Sequence, residues 1–170
     1  AMDLWGALLK SDVEIRVWAS FAPLECSMED GATYITLGLA TDLGSVPGNQ
    51  IPGAKIAEAR YPIALANALA GKDLNEGEDD IFTVFSSAID QPECRAIGAR
   101  GWHYGLRGNA DNTGGKSNFL NTIMHEIGHG LGVAGYATPG TGAPWDYNIR
   151  SNQFDKALPA IESDADMTKA

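Results

Sequence analysis

This sequence is short of cysteine, histidine and positive charge. It has only two cysteines, Cys26 and Cys94. Neither stands in a C-x-x-C pair, so a cysteine-ligated metal knuckle is not expected, and no signature supports a catalytic thiol. The preferred expectation is a Cys26–Cys94 disulfide, contributing about 4 kcal/mol through the unfolded state; two buried free thiols are the alternative. Twelve basic residues stand against 22 acidic ones, for a net charge of −10. Phosphate backbones need Lys and Arg, so a nucleic-acid partner is not expected. No apolar run reaches the roughly 18–20 residues that cross a bilayer, so no membrane span is expected. No signal peptide is visible after Ala1-Met2, which leaves open whether a leader was removed.

What remains suits one globular domain. The chain has 170 residues, 44% of them hydrophobic and 20% charged. That is enough to bury a core, and no internal repeat or clear domain boundary interrupts it.

Along the chain, Leu4, Trp5, Leu8 and Leu9 predict a short opening helix over 2–10. Alternation over 13–21 predicts a half-buried strand ended by Pro23. Residues 26–31 read as a loop and 34–39 as a second strand. The Gly- and Pro-rich 41–53 reads as an irregular connection. Pro62 opens a helix to about residue 70, which Gly71 stops. The acidic 73–80 is a turn without the spacing of an EF-hand loop. The segment 81–89, IFTVFSSAI, is the strongest strand and a candidate edge for pairing an extended substrate. A short strand over 102–104 and a helix over 152–158 complete the reading. Intermixed helices and strands make the class α+β, with a mixed twisted sheet.

The most informative stretch is NFLNTIMHEIGHGLGVAG, 118–135. It contains H-E-x-x-H: His125, Glu126 and His129. On a helix the two histidines share a face one turn apart and can hold one zinc ion (Zn2+), with Glu126 beside them. Phe119, Leu120, Ile123, Met124, Ile127 and Leu131 fall on the opposite side, where they can fix the helix in a core. Ser117 or Asn118 can cap its start, and Gly132 marks its end. A solvated polar helix face is the competing reading of the same three residues.

A catalytic zinc takes three protein ligands and a water. In the pattern H-E-x-x-H-x-x-G-x-x-H the third ligand would fall at 135, and Gly135 has no side chain to offer. His103 is the one other histidine, more simply a hydrogen-bonded structural residue. Asp146 and Glu162 are the carboxylate candidates, Asp146 the one carried forward as a weak third ligand. Both are most simply surface groups.

HEIGHGLGV resembles the zinc helix of leishmanolysin-like metzincins. More of the chain resembles secreted bacterial metallopeptidases with an inserted protease-associated domain. PLECS near Cys26, RYPIALANALAG at 60–71, DIFTVFSSAI, GWHYGLRGN at 101–109 and SNFLNTIMHEIGHGLG have counterparts there in that order. APWDY and DADMTKA resemble the approach to the insertion. The resemblance implies a zincin-like fold, His125 and His129 as zinc ligands and Glu126 as general base. It also implies cysteines at positions 26 and 94, and secretion or an extracellular or periplasmic location. A third histidine and a methionine turn would follow the insertion. The sequence ends at Ala170 without them, so the expectation is one zincin-like domain over 1–170 that is incomplete at its C-terminal end. The competing reading is a shortened protein that completes its site with Asp146, with water or with nothing.

The expected function is zinc-dependent hydrolysis of protein or peptide bonds, with Glu126 taking a proton from a zinc-activated water. The alternatives are a non-catalytic zincin-like binding module, an inactive fragment lacking the third metal ligand, or a metal-dependent amidase acting on a small substrate.

Overall fold

The computed structural model describes residues 1–106 and 114–133. Its centre is a three-stranded mixed sheet of β1 (Val17–Ala22), β7 (Ile81–Ser86) and β4 (Gly38–Asp42), in the order β1-β7-β4. β1 runs parallel to β7, with Val17 opposite Ile81, and β4 runs antiparallel to it, with Gly38 opposite Phe85. The α+β class is as the sequence implied.

β7 is the middle strand, not an edge, so the substrate-pairing role suggested for 81–89 does not belong to it. The reason is visible in its composition: Ile81, Val84 and Phe85 are all buried, and they lie on both faces. A strand apolar on both sides belongs in the interior of a sheet. Among the described residues the edges are β1 and β4.

Other expectations shift in register. The strand predicted over 13–21 begins at Val17. Before it, the Val13 N–H is taken by the Ser11 hydroxyl and the Arg16 N–H by the Asp80 carboxylate. Residues 26–31, expected as a loop, form β2 (Cys26–Glu29), which turns back into β3 (Ala32–Ile35). Asp30 and Gly31 make the turn, at φ 48° and 77°. An Asp-Gly pair with two positive φ values is the tight hairpin turn that matches strand twist. The strand expected over 34–39 therefore divides: its start pairs with β2, and from Gly38 the chain pairs with β7. Within 41–53, β5 (Ser45–Pro47) pairs with β6 (Arg60–Pro62).

Three of the helices follow the sequence, and the one over 92–96 was not expected. α1 is Met2–Leu8, α2 is Ile63–Ala70, α3 is Pro92–Ala96 and α4 is Phe119–Gly130. Gly71 ends α2 in the left-handed conformation at φ 65°, where glycine alone escapes the Cβ clash. Only part of the apolar stripe of α1 packs: Leu4 and Leu8 are exposed. Trp5 instead donates its indole N–H to the Met124 carbonyl of α4 at 3.2 Å.

A second core lies beyond the end of the sheet. Ile89, Cys94, Ala99 and Trp102 are buried together, with Cys26, Ile35, Leu37 and Phe119 packed against them. Cys26 and Cys94 form a disulfide with Cα atoms 5.6 Å apart, so neither is a free thiol. β8 (Trp102–His103) pairs with β9 (Ser117–Asn118) just before α4. The Trp102 indole donates to the Ser86 carbonyl at 2.8 Å, tying this core to β7. Among the described residues, no helix is long and apolar enough to cross a membrane.

Candidate metal centre

The site grows from α4. Asn118 caps it, its side-chain oxygen accepting the Asn121 N–H at 3.0 Å, as the sequence suggested. Phe119, the first residue of the helix, is wedged among Phe21, Phe85, Trp102 and Tyr104, with ring centroids 5.0–5.4 Å away. That aromatic cluster fixes one end of α4 to both cores. Along the helix, Gly128 lies under Trp5, where a Cβ would stand 3.4 Å from the ring, and Gly130 lies against Ile81. Small residues here let α4 approach both neighbours.

The C-terminal end is built as carefully. The Val133 N–H reaches back to the Gly128 carbonyl and the Gly132 N–H to the His129 carbonyl. Gly132 has φ 97°. This is the Schellman arrangement, with Gly132 in the position that needs glycine. It also carries Val133 back over the helix. The Val133 carbonyl then lies 2.9 Å from Nδ1 of His129.

His125 and His129 stand one turn apart with their Nε2 atoms 2.9 Å from each other. Two ligands of one tetrahedral zinc, each 2.0–2.1 Å from it, lie about 3.3 Å apart. The two rings thus converge on a point that a small ion fits after a shift of a few tenths of an ångström. The Val133 contact selects the tautomer. A carbonyl can only accept, so His129 carries its proton on Nδ1 and leaves the Nε2 lone pair free for bonding. With His129 in that tautomer, its Nε2 can accept a hydrogen bond from His125, which a metal would replace. His125 is exposed, so the point of convergence is open to solvent.

Glu126, the residue after His125, projects toward β4. It is 7% exposed and lies over Gly38. The described residues offer its carboxylate no hydrogen bond and no ion pair. It is unusual in this. The other buried polar side chains, Asn67, Asp80, Thr83 and Ser86, all have partners. Leaving a buried polar group unsatisfied costs about 1–3 kcal/mol, and more when it is charged. Such a group is a candidate for function.

Beside Glu126 runs the free edge of β4. The Ser86 N–H donates to the Leu37 carbonyl and the Leu43 N–H to the Asp80 carbonyl, which sets the phase of the ladder. Odd-numbered positions turn their backbone groups toward β7, and Gly38 and Ala40 turn theirs outward. Nothing among the described residues occupies that edge.

The other ligand candidates do not join the pair. His103 lies on β8 opposite Asn118, two helical turns or about 10 Å of α4 before His125. No group of three or more His, Cys, Asp or Glu side chains gathers at a metal-binding distance among the described residues. Asp146, Glu162 and Gly135 lie outside those residues, as does the helix expected over 152–158.

Two contributors carried no side-chain signal in the sequence: Val133 acts through its backbone carbonyl, and Gly38 through having no Cβ. Compared with protein-family models, curated proteins and solved structures, the chain finds no match.

Proposed function

We propose that this chain carries the active helix of a secreted zinc-dependent endopeptidase with a metzincin-type zincin fold. The observation that carries the reading is the grouping on α4. Two imidazoles converge through Nε2, and the next residue after the first of them is a buried carboxylate facing a strand edge, with neither carboxylate nor edge partnered among the described residues. His125 and His129 would be two of the ligands. The third is not among the described residues, and Asp146 remains the candidate that the sequence offers.

A zinc ion held there would polarise the scissile carbonyl and bring the pKa of water down to about 7. The chain's own residues do the rest. Glu126 accepts a proton from the attacking water and delivers it to the leaving nitrogen, which a base of this kind accelerates by roughly 10²–10⁴-fold. Burial keeps competing donors away from its carboxylate. The Val133 carbonyl holds His129 in the ligating tautomer. An extended peptide can add to the outward N–H and C=O groups of Gly38 and Ala40, the recognition mode that gives main-chain affinity with little demand on side chains. Pairing of this kind aligns a peptide bond beside Glu126, and it favours polypeptides over small amides.

The test is a protein or peptide digestion by the full chain supplied with zinc, alongside Glu126→Ala. The expected result is cleavage by the first, and a bound-zinc content in the variant equal to that of the parent with cleavage lost. A parent chain that binds no zinc, or a variant that cleaves as well as the parent, would refute the proposal.

A further inference from the structure

We infer that Gly38 is a positioning residue for Glu126: its missing side chain makes the space in which the buried carboxylate lies. The inference rests on reading Glu126 as the general base.

Gly38 is the first residue of an edge strand, a place where glycine has no conformational purpose. Its φ is not positive, so any L residue could adopt its backbone. Glycine weakens a strand and, in a strand interior, often marks the close approach of another group. Here the approaching group is identifiable. A Cβ on Gly38 would stand 2.8 Å from Cγ of Glu126, and 3.1 Å from both its carboxyl carbon and Oε1. Ala40, two residues on and on the same face, keeps its Cβ.

Moving the helix would disturb its packing on both neighbours, whereas turning one side chain disturbs little. Gly128 is held under Trp5, and Gly130 rests against Ile81 of the central strand. The carboxylate itself must move instead. It is 7% exposed, so its escape is toward a different rotamer, away from the β4 edge. The three atoms nearest such a Cβ all belong to Glu126, and none to an imidazole. Glycine at 38 therefore sets where the base sits relative to a peptide on that edge, without taking part in metal binding. A displacement of 1 Å in a reacting group can lower a rate by roughly 10²-fold.

The test combines Gly38→Ala, Glu126→Ala and the double variant. In the protein with Glu126, Gly38→Ala should lower the melting temperature. In the Glu126→Ala protein, where no Cγ remains to collide with, the same change should leave it unaltered or raise it, because alanine is the better strand residue. In zinc-loaded chains, Gly38→Ala should lower kcat roughly 10–100-fold with KM nearly unchanged. Its zinc dissociation constant should match the parent's. Equal melting-temperature changes in both backgrounds would overturn the inference, as would a kcat that Gly38→Ala does not alter. Undiminished cleavage by Glu126→Ala alone would overturn the peptidase reading, whether or not the stability coupling is found.

Discussion

Asp80 and Glu126 are both buried carboxylates, 2% and 7% exposed, and their surroundings differ completely. Asp80 accepts the Arg16 N–H at 2.9 Å and the Asn67 side-chain amide at 3.1 Å. Asn67 in turn donates to Asn75 and accepts the Leu74 N–H. The network joins the approach to β1, α2 and the acidic turn at the point where β7 begins. Among the described residues Glu126 has no such partners. The difference separates two uses of a buried charge. One is satisfied and specifies the fold; the other lies against Gly38 of β4 with no hydrogen bond among the described residues. Burial alone would not have told them apart, whereas the count of hydrogen bonds does.

The largest expected contrast is in what alanine does at each. Glu126→Ala should reduce hydrolysis roughly 10²–10⁴-fold. It should leave the melting temperature unchanged or raised, because it removes an unsatisfied buried group. Asp80→Ala should do the reverse. Stranding the Arg16 N–H and the Asn67 amide should destabilise the fold by about 3 kcal/mol, or a melting-temperature drop on the order of 10 °C, with zinc affinity preserved. Thermal melts and metal titrations of the two variants decide this. A large loss of stability from Glu126→Ala would mean that its carboxylate is structural after all.

A third carboxylate, Asp90, sharpens the comparison with a smaller effect. It accepts the Trp102 N–H at 3.1 Å and the Tyr104 hydroxyl at 3.1 Å. The Tyr104 phenol is raised above its ordinary 10.0 by burial first, and then by the hydrogen bond and the charge of Asp90. A folded-state pKa above the unfolded one gives a stabilisation that is fully present below about pH 10 and lost as the pH rises through the folded value. Spectrophotometric titration should therefore show a late-ionising phenol that Tyr104→Phe removes. If the variant's titration curve keeps that late component, Asp90 does not hold Tyr104 in this way.

Much of the site was legible in the sequence because its chemistry is local. The spacing of His125 and His129 needs only a helix to bring them together, and Asn118 and Gly132 bound that helix by rules that operate within a turn or two. The Cys26–Cys94 disulfide was the preferred of two readings, over two free thiols, and the bond is present. What escaped was non-local or carried by the backbone. Strand order is set by which faces are covered, so the place of 81–86 at the centre of the sheet, and of 38–42 at its edge, needed the tertiary structure. The Asp30-Gly31 turn was a readable hairpin signal that the acidic surroundings of Glu29 obscured. Gly38 is silent in the sequence, because a close approach leaves no mark except the glycine itself. The carbonyl of Val133 would be the same whatever residue stood there.

Whether His125 and His129 hold one zinc ion between them is decided by a calorimetric zinc titration of the full chain, His125→Ala and His129→Ala. One zinc per parent chain is expected, with an affinity at least about 100-fold lower in either variant, as loss of a direct ligand should give. A parent that takes up no zinc, or variants that bind it as tightly as the parent, would contradict that expectation.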